Sequence, residues 1–121
     1  MQKVLDIGII LLAVLHIFIL YVEMFAWTKT LGKKMFRNDA DFAVKTKVLA
    51  ANQGLYNGFL AAGLIWSCFA EIPFDDQLKV FFLSCVFIAG IYGAYSASKK
   101  IIFVQALPAF ILLSLLLFLR M

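Results

Sequence analysis

Four apolar runs, each long enough to cross a lipid bilayer, constrain this chain more than any other feature: Val4–Trp27, Val48–Ala70, Leu78–Ala97 and Ile101–Leu119. A spanning helix needs roughly 20 mostly apolar residues at about 1.5 Å rise each. Hydrocarbon offers no partners to backbone N–H and C=O groups, so each run must close its hydrogen bonds internally. A closed barrel would need many alternating strands, and the sequence has none. The expected fold is therefore all-α: a four-helix transmembrane bundle forming one integral membrane domain over residues 1–121. Composition agrees, because 64% of the residues are hydrophobic against about 45–50% in soluble domains. A soluble fold this small could not enclose that much apolar surface.

The joints support the division. Asn38, Asp39 and Asp41 offer N-caps before the second span. Glu71-Ile72-Pro73-Phe74-Asp75-Asp76 reads as a tight acidic turn with Pro73 as its breaker. Ser96–Lys100 makes the third connection, and Trp27 and Trp66 suit interfacial anchors. The apolar run from Ile7 to Val22 is longer than a signal h-region and no A-x-A site follows it, so it reads as a retained helix.

Orientation follows from basic residues. Loops one and three hold Lys29, Lys33, Lys34, Arg37, Lys45, Lys47, Lys99 and Lys100, whereas the opposite side holds Lys3, Lys79 and Arg120. The positive-inside rule places the first group in the cytoplasm and both termini outside. Lys33, Lys34 and Arg37 suit topology and contact with anionic lipid. The basic residues do not interleave with exposed aromatics, so nucleic-acid binding has no support. Cys68 and Cys85 lie in apolar runs without a CxxC pair, and one histidine cannot complete a zinc site with them. No metal or cofactor is called for.

Ionisable groups inside a span are costly, about 2.5–3.5 kcal/mol for an Asp on insertion scales, and are functional suspects by default. The first span carries His16 and Glu23, seven residues apart and therefore within about 20° of one face. Asp6 is read as interfacial. The second span opens with Ala50-Ala51-Asn52-Gln53-Gly54-Leu55-Tyr56-Asn57-Gly58, three carboxamides and a phenol in six residues. Ala50, Gly54, Gly58 and Ala62 form a small-xxx-small row that admits a second backbone, and Ala89, Gly93 and Ala97, with Gly90 and Ala94 beside them, form another in the third span. Tyr92 and Tyr95 lie near the cytoplasmic end of that span. Gln105 lies one turn into the fourth, ahead of Pro108. Depth and orientation together put Glu23, Asn52, Gln53, Tyr56, Asn57, Tyr92, Tyr95 and Gln105 in the cytoplasmic half, with His16 near the midplane. The pattern predicts a polar pocket opening toward the cytoplasm, with Glu23 and His16 as acid–base candidates and the rest as ligand-binding groups.

Several strings in the chain resemble one family: Tyr21-Val22-Glu23-Met24-Phe25-Ala26-Trp27, Ala50-Ala51-Asn52-Gln53-Gly54-Leu55-Tyr56-Asn57-Gly58, Ala89-Gly90-Ile91-Tyr92-Gly93-Ala94 and Val104-Gln105-Ala106-Leu107-Pro108-Ala109. The family is a set of small bacterial four-span proteins catalogued as domain of unknown function 1304. The resemblance covers essentially the whole chain. It implies the four-span fold and a bacterial inner-membrane setting, and it carries no activity.

Three functional classes remain open. A binder or converter of a small amphipathic, lipid-like molecule would use convergent polar groups beneath an apolar cavity. No nucleophile motif is present, which favours proton transfer over covalent chemistry. A proton-coupled small-molecule exporter would expose Glu23 to each side in turn. An accessory subunit of a membrane complex would need no cavity, and a homo-oligomer would use the Gly54, Gly58 or Gly93 seams.

Overall fold

The computed structural model describes residues 1–121 and is entirely helical apart from its connections. Five α-helices follow in order: α1 (Gln2–Phe25), α2 (Thr30–Phe36), α3 (Ala40–Phe69), α4 (Phe74–Ser96) and α5 (Leu107–Arg120), with a π-helical turn over Ile102–Ala106 leading into α5. Three helical stretches are long and apolar enough to cross a membrane: Gln2–Phe25, Phe74–Ser96 and Ile102–Arg120. The longest helix, α3, is not among them. Its first turns carry Asp41, Lys45 and Lys47, and its middle carries the carboxamides, which dilute its hydropathy.

The chain divides into two compact units, one of residues 14–61 and one of residues 1–13 with 62–121. Within residues 14–61, the second part of α1 packs on the first part of α3. The buried face of α1 here is His16, Ile19, Val22 and Glu23, continued by Ala26 just past its end, positions that recur every three to four residues with Val22 and Glu23 side by side on one helical stripe. The facing stripe of α3 is Ala43, Ala50, Gly54, Asn57 and Ala61. Gly54 is needed at its position: a Cβ there would lie 2.8 Å from Met24 Cγ, 3.0 Å from Glu23 Cβ and 3.2 Å from the Leu20 carbonyl oxygen. The expected small-residue row is therefore only half right. Gly54 is buried in it, but Ala62 is exposed, and the face continues through Asn57 and Ala61. A strict i+4 row drifts about 40° per step, so three steps carry it off the face.

Two further features differ from the expected loop. Thr30–Phe36 is helical, ended by Arg37 in the left-handed conformation (φ 56°). Helix α3 begins at Ala40, well before the apolar run, because Asp39 Oδ1 accepts the Phe42 N–H at 2.8 Å and caps it. Trp27 stacks near Phe36, with ring centroids 4.8 Å apart, and donates Nε1–H to Thr46 Oγ1 at 3.0 Å.

The second unit gathers the start of α1, the end of α3, α4, the π turn and α5. Pro108 lacks the N–H that would bond to Val104, and its ring crowds that carbonyl. The preceding turn widens accordingly, and the Leu107 N–H bonds to the Ile102 oxygen instead. Gly90 of α4 lies against this turn, where a Cβ would fall 2.5 Å from Ala106 N. The close approach in α4 is thus at Gly90, not along Ala89, Gly93 and Ala97. Ala89 and Ala97 are exposed, and Gly93 faces Ile101.

Candidate functional site

His16 and Glu23 lie on the buried stripe of α1, at 0% and 1% exposure. Asn57 comes to Glu23 from α3, donating Nδ2–H to Glu23 Oε1 at 2.8 Å. The same amide nitrogen lies 3.2 Å from the Gln53 carbonyl oxygen of its own helix. Glu23 Oε2 is buried and has no hydrogen-bond partner within the protein. A buried carboxylate oxygen without a donor is costly and calls for an explanation, such as a bound water, ion or ligand or a catalytic role. Chemically, the pair leaves one buried carboxylate oxygen as an unfilled acceptor beside an amide nitrogen already committed to Glu23 Oε1 and the Gln53 carbonyl oxygen. It suits a hydroxyl, amine or amide N–H from a ligand.

The remaining expected site residues fall elsewhere. Asn52, Gln53 and Tyr56 are exposed on α3. Asn52 spends its amide on the Val48 carbonyl oxygen at 2.9 Å. The geometry explains the division, since Asn52 lies about 140° around the helix from Asn57 and Tyr56 about 100°. Tyr92 and Tyr95 are exposed on α4, where they line an open apolar trough with Phe87, Ile88 and Ile91. Gln105 is half-buried within the π turn. His16 is two turns from Glu23, about 10 Å along the axis, so any exchange between them needs a bridging group.

A second polar cluster escaped the sequence reading. The sequence places Asp6 at the interface and Lys79 among the outer-side basic residues, with no contact between them foreseen. Instead Lys79 is 2% exposed, with Nζ 3.0 Å from Asp6 Oδ1 and 3.1 Å from Asp75 Oδ2. Arg120 donates Nη2–H to Asp76 Oδ1 at 2.7 Å and to Gln2 Oε1 at 3.2 Å. The pattern was available in principle: Asp75 and Lys79 are i,i+4 on a helix that enters apolar surroundings, and Asp6 stands in an apolar stretch.

The family model described as "Protein of unknown function (DUF1304)" matches residues 10–117. The chain belongs to the DUF1304 family. A curated relative, "Uncharacterized protein YpaA" of Lactococcus lactis subsp. lactis (strain IL1403), is 32% identical over 100 residues, covering 79% of this chain and 82% of the relative. No solved structure matches. The family match spans Glu23, Asn57 and His16 but leaves out Gln2, Asp6 and Arg120, three members of the second polar cluster.

Proposed function

We propose that this DUF1304 protein is a four-span protein of the bacterial inner membrane, with both termini outside, that binds or converts a small amphipathic molecule through Glu23 and Asn57. The observation that carries the reading is the unpartnered, buried Glu23 Oε2 beside the Asn57–Oε1 bond. A ligand that donates a hydrogen bond to Oε2 would satisfy the site, and an apolar tail would suit the surroundings of α1. In a conversion, Glu23 would be the group that exchanges a proton. The fourth span in this reading is α3, whose 30 residues exceed the bilayer requirement.

The test is native mass spectrometry of the protein purified in mild detergent beside Glu23→Gln. The amide keeps the shape and the acceptor to Asn57 but replaces Oε2 by a donor or leaves it altered. A small-molecule mass present on the wild type and absent from the variant supports the reading. Identical spectra, or no adduct on either, contradict it.

A second reading, an accessory subunit or homo-oligomer, is favoured by Asn52, Gln53 and Tyr56, which are exposed on a helix otherwise apolar at that level. Exposed carboxamides in hydrocarbon are costly, and a partner helix would supply their hydrogen bonds. The same spectra separate the readings, because a partner adds the mass of a protein.

A further inference from the structure

We propose that the α2 segment is a binding site for the phosphate of an anionic phospholipid. The stretch from Lys29 to Lys47 holds Lys29, Lys33, Lys34, Arg37, Lys45 and Lys47 against Asp39 and Asp41. Only Lys45 finds a carboxylate, in an exposed i,i+4 pair with Asp41 at 2.9 Å. The other acid, Asp39, has its Oδ1 committed to the cap of α3. Lys33 and Lys34 make no ion pair. Lys33 is moreover half-buried, where an uncompensated ammonium is more costly than at an open surface.

These two lysines line a concavity with Thr30, Asn38, Asp39 and Ala40. Asn38 Nδ2 is a buried donor without an acceptor. Two ammonium groups, a hydroxyl and an orphan amide share one need, which is acceptor oxygens carrying negative charge. A phosphodiester meets it.

The source of that phosphate is set by the neighbours. Leu31 and Met35 of α2 and Phe42 of α3 are exposed apolar side chains. Cations interleaved with exposed apolar groups mark the boundary between headgroups and acyl chains. Basic clusters of this size next to a membrane-spanning helix attract acidic lipid electrostatically. A soluble phosphate would satisfy the lysines and leave the apolar side chains in water; a phospholipid covers both. This site is independent of Glu23, and either can exist without the other.

The experiment compares three proteins in mixed micelles of equimolar phosphatidylglycerol and phosphatidylcholine, counting retained lipids by native mass spectrometry. They are the wild type, Lys33→Gln/Lys34→Gln and Lys99→Gln/Lys100→Gln, the last removing equal charge from another connection. The wild type should retain phosphatidylglycerol over phosphatidylcholine by about tenfold. The Lys33/Lys34 variant should lose most of that preference and the Lys99/Lys100 variant should keep it. Equal losses in the two variants, or no preference in the wild type, overturn the proposal. Should the Lys33/Lys34 variant fail to fold, melting of the wild type decides. Phosphatidylglycerol must raise its midpoint more than phosphatidylcholine does, and inorganic phosphate must not reproduce the rise. A rise with inorganic phosphate alone assigns the site to a free anion and overturns the lipid reading.

Discussion

The bond between Asn57 and Glu23 makes an asymmetric prediction. If Glu23 is replaced by Leu, Asn57 loses one acceptor but keeps the Gln53 carbonyl oxygen at 3.2 Å. If Asn57 is replaced by Leu, Glu23 loses its one protein donor and both carboxylate oxygens are stranded. Hydrogen bonds to charged groups contribute about 1.5–3 kcal/mol, and a stranded buried partner costs a similar amount; interhelical bonds in membranes average nearer 0.6 kcal/mol. Asn57→Leu should therefore destabilise by about 2 kcal/mol and Glu23→Leu by about 1 kcal/mol or less. The double variant should resemble Glu23→Leu, because a pair replaced by apolar groups strands nothing. Thermal unfolding in detergent reads this as a midpoint drop of about 6–10 °C for Asn57→Leu and about half that for the other two, taking roughly 3–5 °C per kcal/mol. Additive losses, or a larger loss for Glu23→Leu than for Asn57→Leu, would refute the reasoning.

Other expectations follow from the same geometry. Asn52→Leu should shift the midpoint by less than the equivalent of about 0.5 kcal/mol, because Asn52 is exposed and bonds only to its own helix. Gly54→Ala should be much more damaging than Gly58→Ala by the same melting assay. A Cβ at Gly54 meets Glu23 Cβ and backbone, whereas at Gly58 it meets the end of the Leu20 side chain, which can move. Lys79→Met should destabilise by about 2–4 kcal/mol by stranding Asp6 and Asp75, and adding Asp75→Asn should restore part of it; no restoration would break the assignment of that pair. A cysteine at Lys34 should react with membrane-impermeant thiol reagents only once the cytoplasmic face is opened, and labelling of intact cells would reverse the orientation.

Apolar length alone made α1, α4 and the continuous stretch of the π turn and α5 legible in the sequence, within about four residues at each end, because spanning length is an unambiguous signal. The start of α3 was not legible in the same way. A capped helix runs on through polar turns, so the start of an apolar run does not mark the start of the helix. Within the site, Glu23 was visible as an ionisable group in an apolar run, and Asn57 as one of several carboxamides. Choosing Asn57 over Asn52 and Gln53 required the phase of α3. Its buried row runs Ala50, Gly54, Asn57, Ala61, Leu64 with the mixed three- and four-residue step of a straight helix. Following the glycines alone, from Gly54 to Gly58, rotates off that row and puts the wrong side chains inside. The Lys79 cluster was missed for another reason. Asp6 lies about seventy residues before Asp75 and Lys79 in sequence, and nothing local says that Asp6 and Asp75 share one lysine.

The central claim is that Glu23 Oε2 serves something other than this chain. An experimental structure of the protein in lipid nanodiscs, at a resolution that separates ligand from lipid, tests it most directly. The account predicts non-protein density within about 2.6–3.2 Å of Glu23 Oε2, with the Asn57 amide still on Oε1. A Glu23 carboxylate satisfied on both oxygens by protein groups, with no such density, would contradict it.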